Sequence, residues 1–294
     1  MRHLLYLILL FTLSTVFAAE PPPSWSEQEA QGRDADDMLF IARRHMETDP
    51  PDEKETRYWL QEAAGAGSAD AMGMLGVMHA EGLGVEEDAE QAAHWFTRAV
   101  EAGAREYTLQ LGWLHLHGHG VPRSRERAEH WFRQGIEADL HPARVALASL
   151  LITDAHEGRS PGRVKEAQAL LTEALDGDVI VASFLLASIH IEGVGDIQPD
   201  PVKAVHYTRM GADKGHAQMQ GWLSVFYAGG KGVEQDVVEA MKWSILAAAE
   251  GDPLGNQLRI QLQAELDETQ LKEARERAVE WLYQKRRRDA GLVD

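Results

Sequence analysis

Large hydrophobic residues recur along this chain at a nearly constant interval. Trp59, Trp95, Trp131, Leu170, Tyr207 and Trp243 are separated by 36, 36, 39, 37 and 36 residues. Three residues before them stand Thr56, Ala92, Ala128, Ala167, Ala204 and Ala240. Twenty or twenty-one residues before them stand Leu39, Leu75, Leu111, Leu150, Leu186 and Leu223. Self-similarity at this period marks a solenoid of stacked supersecondary units.

Each unit divides into two helical segments. The first carries alanine, leucine and glycine at helical spacing, as in "ADAMGMLGVMHAEG" over 69–82. A glycine turn follows: "GLGV" (82–85), "GHGV" (118–121) and "GKGV" (230–233). Asp52, Asp88, Ser124, Asp200 and Asp236 then stand seven residues before the large residue, where their side-chain oxygens can cap the second helix. Glu55, Gln91 and Glu239, three residues further on, predict capping boxes, and Pro201 suits a first helical position. Gly67, Gly103, Gly215 and Gly251 predict left-handed helix ends.

These residues resemble the Sel-one-like repeat, a relative of the tetratricopeptide repeat. That pattern has a leucine–glycine pair, a tyrosine soon after, a G-x-G-V turn, an aspartate, then alanine and tryptophan. "LGVMHAEGLGVEEDAEQAAHW" (75–95) and "LGWLHLHGHGVPRSRERAEHW" (111–131) match it closely, and "FYAGGKGVEQDVVEAMKW" (226–243) matches well. The resemblance implies an all-α fold, a right-handed α–α superhelix (solenoid) of about six helix-turn-helix repeats with a C-terminal capping helix. The units fall at about 36–67, 68–103, 104–139, 140–178, 179–215 and 216–251. The fourth departs: it has three extra residues, Arg163 in the cap column and Leu170 in the aromatic column. The first lacks the glycine turn, as a terminal repeat with one neighbour can. Structural repeat positions are thus Leu75, Trp95, Leu111, Trp131, Tyr207 and Trp243, with Trp95 and Trp131 expected to be buried between repeats.

Residues 252–294 read as C-terminal capping helices. In "DETQLKEARERAVEWLYQKRRR" (267–288), Leu271, Ala274, Ala278, Trp281 and Leu282 form one stripe behind a cap at Asp267. At the other end, Arg2 and His3 precede a 14-residue apolar run, Leu4–Phe17, shorter than the roughly 20 residues a membrane span needs. With Ala18 and Ala19 after it, residues 1–19 read as a signal peptide cleaved after Ala18 or Ala19. Residues 20–35 read as a flexible, proline-rich lead. The expected location is periplasmic or secreted, with no stable membrane insertion after cleavage. With no cysteine anywhere, neither a lipid anchor nor a disulfide is expected.

Composition then narrows the chemistry. The net charge is −18, which argues against nucleic acid as a partner. The run Lys285–Arg288 suits a helix C-terminus. "HLHGHG" (115–120) places three histidines in three repeat roles: His115 in the tyrosine column with His79, His190 and Tyr227, His117 at the linking position, and His119 at the free position of the turn. Ligands on one metal must converge at about 2 Å, so no metal site is expected. His94, His130 and His206 precede the large residues on a solvated face. Neither a catalytic motif nor a cofactor is recognised.

The resemblance implies an exported scaffold for protein–protein interaction in the bacterial envelope, regulatory or immunity-type, and not an enzyme. The alternative is a β-lactam-binding or hydrolysing enzyme, like cysteine-rich secreted relatives whose cysteines this chain lacks. A structural role in polysaccharide export is a further rival; relatives in that role are commonly lipid-anchored. Trp113 and Trp222 fall outside the repeat columns and are candidate partner-binding residues. The acidic charge points to a partner with a basic patch.

Overall fold

The computed structural model describes residues 34–176 and 180–292. The expected signal peptide at 1–19, most of the expected lead at 20–35 and the expected unit boundary at 178 lie outside the described residues. Within them the chain is all helical, apart from an isolated bridge between Val194 and Ile197.

The first helices of the six units are α1 (Ala35–Met46), α3 (Ala69–Glu81), α5 (Thr108–His117), α7 (His141–His156), α9 (Ile180–Glu192) and α11 (Ala217–Gly229). The second helices are α2 (Glu53–Gly65), α4 (Ala89–Glu101), α6 (Arg125–Glu137), α8 (Val164–Asp176), α10 (Pro201–Asp213) and α12 (Val237–Ala249). Each packs on the helix before it and the helix after it. The three extra residues of the fourth unit lengthen α7 to 16 residues, against 13 in α3.

Two buried stripes hold each pair together. The column leucines Leu39, Leu75, Leu111, Leu150, Leu186 and Leu223 are all buried on the first helices. On each second helix the inner stripe runs through the column alanine (Thr56 in the first unit) and the residues four and seven further on, such as Ala92, Phe96 and Ala99. The tryptophan column therefore sits one residue off this stripe. Trp95, Trp131 and Tyr207 are only half-buried, at the edge of the pair. The fully buried residues are their successors Phe96, Phe132 and Thr208. The expectation that Trp95 and Trp131 fill the space between repeats is corrected: a one-residue step turns a side chain about 100° around the helix. Trp59 and Trp243 are buried. Phe96 and Phe132 lie flat against Gly76 and Gly112, where a Cβ would come within 2.5 and 2.2 Å of the rings.

The caps explain a second difference. Asp52, Asp88, Ser124, Asp200 and Asp236 each accept a backbone N–H from the first turn of the helix that follows. None completes a capping box through Glu55, Gln91 or Glu239. The N–H such a box would occupy is already donated to the first helix, from Asp88 to the His79 carbonyl, Ser124 to His115, Asp200 to His190 and Asp236 to Tyr227. The tyrosine/histidine column thus lends its carbonyl to the next cap in unit after unit. A capping box does form at Asp267, whose N–H donates to the Gln270 side chain.

The turns lock one unit to the previous one. Gly120 (φ +66°) and Gly232 (φ +72°) are left-handed, and a Cβ on either would come within 2.1 Å of backbone atoms of Ala89 and Pro201, at the start of the preceding unit's second helix. Only glycine allows both the angle and the approach.

At the C-terminal end, α13 (Pro253–Glu265) packs on α11 and α12. The last helix, α14 (Glu268–Asp289), packs chiefly on α12. Ala274 and Ala278 are buried there, Trp281 meets Trp243 edge-on at 5.7 Å, and the Lys285 side chain reaches Gly215. It is a strap laid back along the second helices.

Candidate partner-binding face

Three of the first helices carry little charge: α5 and α11 contain no Asp, Glu, Lys or Arg at all, and α9 contains only Glu192, whereas α1 carries Asp36, Asp37, Arg43 and Arg44. The chain's acidic residues lie mainly on second helices, caps and turns. Two arginines at the junction of α6 and α8 are already engaged. Arg163 and Arg133 both bind Glu129 and Glu166, tying α6 to the entry of α8. The hydrogen bond from Arg163 is the main reason the Glu129 carboxyl is held below the usual carboxylate range.

Trp113 on α5 is half-buried. Its ring meets Phe132 edge-on at 5.4 Å and stacks on exposed His117 at 5.7 Å. Trp222 on α11 is also half-buried and stacks on Phe184 of α9 at 4.8 Å. The two tryptophans are not brought together. Trp113 packs on the core of the third and fourth units, and Trp222 on that of the fifth and sixth. Each therefore has a packing role that the repeat columns did not reveal. Beside Trp222, Val225 is 42% exposed, and Val181 on α9 is 37% exposed. Gln218 on the same helix as Trp222 is exposed, and Ser188 on α9 is half-buried. The first helices of the fifth and sixth units thus present aromatic, aliphatic and uncharged polar groups together. Phe184 and Val225 escaped the sequence reading because neither breaks a repeat column.

The histidines do not converge. His115 is buried, with Nδ1 3.4 Å from the Pro122 carbonyl oxygen, whereas His117 and His119 are exposed. Desolvation beside Trp113, with smaller contributions from His119 and Arg123, pushes His117 below the usual histidine range. Among the described residues no group of three or more His, Asp or Glu is placed to hold a metal. On the second helices, His94, His130 and His206 stand edge-on to Trp95, Trp131 and Tyr207. Arg98 lies over Trp95 and Lys242 over Trp243, at 4.6 and 4.1 Å from the ring centres.

A comparison with curated proteins gives no match. Among solved structures, a Sel1 repeat protein from Oxalobacter formigenes is similar at 25% identity and a TM-score of 0.62, over 72% of this chain and 85% of that one. A protective antigen of uropathogenic Escherichia coli displaying an SLR fold aligns at 20% identity and a TM-score of 0.40, over 90% of this chain and 72% of that one. An immunity protein from Pseudomonas aeruginosa aligns at 17% identity and a TM-score of 0.43, over 82% of this chain and 84% of that one. The Sel1 repeat family model matches residues 46–68, 69–103, 106–140, 180–216 and 217–252. The gap at 141–179 is the unit with the lengthened α7 and the arginine in its cap column. With five matched stretches over more than half its length, four of them covering a helix pair as described above, this chain belongs to the Sel1 repeat family.

Proposed function

We propose that the protein is an exported scaffold of the bacterial envelope, and that it holds a protein partner against the first helices of its fifth and sixth units. The observation that carries this is the contrast in charge: α9 and α11 expose Val181, Val225 and the Phe184–Trp222 stack, with one acidic residue between them, in a chain of net charge −18. Surfaces of stacked helix pairs suit extended partners, and half-buried aromatics beside apolar groups suit a partner's apolar side chains. A basic patch on the partner would meet the acidic second helices and turns at the rim, where it speeds encounter. Export rests on the apolar run Leu4–Phe17 and the alanines after it.

The test is capture from an envelope extract by immobilised protein. Val225→Glu changes an exposed side chain and is expected to abolish capture with an unchanged thermal melt. Wild-type capture that survives Val225→Glu and Val181→Glu together overturns this placement. N-terminal sequencing of the soluble protein should begin at Ala19 or Glu20; an intact Met1 in the membrane pellet overturns export.

A further inference from the structure

The last helix is held to the array by few contacts, and most of them are polar. A two-residue link, Leu266 and Asp267, joins α13 to α14, and both residues are extended. α14 packs on α12 and makes little contact with α13, its neighbour in sequence. Of its 22 residues only Ala274 and Ala278 are buried, whereas α12 buries seven of 13. Two alanine methyls contribute little hydrophobic stabilisation, and Leu271 and Trp281 beside them are only half-buried.

The ionic contacts between the two helices have substitutes ready on each side. Arg277 of α14 reaches Asp236 at 3.3 Å and Glu239 at 3.1 Å, at the start of α12. Lys242 of α12 also binds Glu239, at 2.7 Å, and Glu273 of α14 also binds Arg277, at 2.6 Å. Asp236 accepts the backbone N–H groups of Val238 and Glu239. If α14 lifts away, each of these charges therefore keeps a partner on its own helix, and the loss is that of a partly exposed, salt-screened pair. The other acidic groups along the seam are engaged within α14, Glu276 by Lys272 and Glu280 by Gln284. Towards the C-terminus, Lys285 lies on Gly215 and Arg288 near Asp213, both at the end of α10.

The same helix reaches the core beneath the first helices. Ala278 shares a buried cluster with Ala187 of α9, Ala212 of α10, Leu223 of α11 and Trp243 of α12. Trp281 packs against that cluster, and so do Phe184 and Trp222 on the first helices. We propose that α14 is a latch: it opens as one unit while the repeat array stays folded, and its closure steadies the face of α9 and α11 that carries Trp222. The use of that face rests on the function proposed above; the coupling between latch and face does not. Salt favours the open state by screening Arg277 from Asp236 and Glu239.

Hydrogen exchange on the purified full chain, at about 50 and about 500 mM NaCl, tests this with no partner present. At the lower salt, residues 271–285 are expected to exchange as one block, about tenfold or more faster than α12, and the higher salt should quicken them further. Arg277→Gln keeps a good helix former and should bring the same acceleration at the lower salt. It should also raise exchange about threefold at amides of α9 and α11, and not at those of α3 and α5. Arg275→Gln, at an exposed position on the same helix, should change nothing. Exchange of α14 in step with α12 at both salts overturns the proposal. So does fraying graded from residue 289 that leaves the amides around Ala274 as protected as those of α12, and so does an α14 released by Arg277→Gln while α9 and α11 stay unmoved. A failed capture from envelope extract overturns the placement of the partner and leaves the latch standing; failure here does the reverse.

Discussion

The second and third units and the fifth and sixth units share one backbone plan but fill it differently. In the former, Gly76 receives Phe96 and Gly112 receives Phe132, and the surrounding core is Met72, Met74, Met78, Tyr107 and the column leucines. In the latter, the corresponding pairs are Ala187 with Thr208 and Ser224 with Ser244, all fully buried. Ser183, His190 and Gln220 join them at 2% exposure or less. The smaller pair in the sixth unit coincides with a shift in the aromatic column: Trp243 is buried and covered by Trp281 of α14, whereas Trp95 and Trp131 stay at the edge. A repeat is held to its shape by the volume that its columns fill together, and several distributions of that volume serve.

The largest expected effect breaks the first kind of unit. Phe132→Ala removes a fully buried ring from its glycine seat and should cost roughly 3–5 kcal/mol. Trp131→Ala should cost clearly less, because half-exposed rings lose less buried area. Urea unfolding of the two variants decides it, and an equal loss would mean that Trp131, not Phe132, carries the inner stripe. Next in size is Gly120→Ala, which adds a strained φ to a Cβ 2.1 Å from the Ala89 backbone and should cost more than about 2 kcal/mol. Gly251→Ala, with a positive φ and open space, should cost only about 1 kcal/mol. Similar melts for the two would show that the turn does not lock adjacent units.

Much of this was legible in the sequence because it repeats. The leucine and alanine columns, the caps and the left-handed glycines recur often enough that each unit checks the next. The misplaced inner stripe has a simple origin. Tryptophan is the conspicuous residue at that column, but Phe96 and Phe132 stand beside it, and a one-residue offset is invisible to a period of 36. The expected capping boxes did not form because the N–H groups of Asp88 and Asp236 donate to carbonyls nine residues earlier, and that of Asp52 to the His45 carbonyl, partners that no local motif announces. The strap formed by α14, the Phe184–Trp222 stack and the packing of Trp113 depend on contacts between units, where column positions carry no information.

A smaller effect sharpens the contrast from the other side. The Thr208 hydroxyl is buried with no hydrogen-bond partner, whereas the Ser224 and Ser244 hydroxyls donate to the carbonyls of Gly221 and Met241. Thr208→Val keeps the shape and removes the unpaired hydroxyl, so it should stabilise the protein by about 1 kcal/mol. Ser244→Ala should be slightly destabilising. A thermal melt that falls for Thr208→Val would show that its hydroxyl has a partner after all.

The smallest expected effect is a dependence on pH confined to the second kind of unit. His190 is buried against Tyr207, with their rings stacked at 5.8 Å, and neither of its ring nitrogens has a hydrogen-bond partner. Desolvation is the main reason its pKa lies below the ordinary histidine value of 6.5; Lys203 adds to the shift and Asp200 opposes it. The unfolded chain therefore binds a proton more readily than the folded one. The stability contributed by neutral His190 is complete above about pH 6.5 and is lost as the pH falls from there toward the lower folded value. His190→Tyr places in the fifth unit the residue that Tyr227 supplies in the sixth, and it removes the titration. Melts at about pH 8 and about pH 5.5 should show a smaller loss for the variant than for wild type. Hydrogen exchange at the lower pH should open amides of α9 and α10 before those of α3 and α4, whose inner stripe has Phe96 where the fifth unit has Thr208. Identical pH slopes for variant and wild type, or first opening in the second unit, would show that the polar core of the fifth unit is not the weaker one.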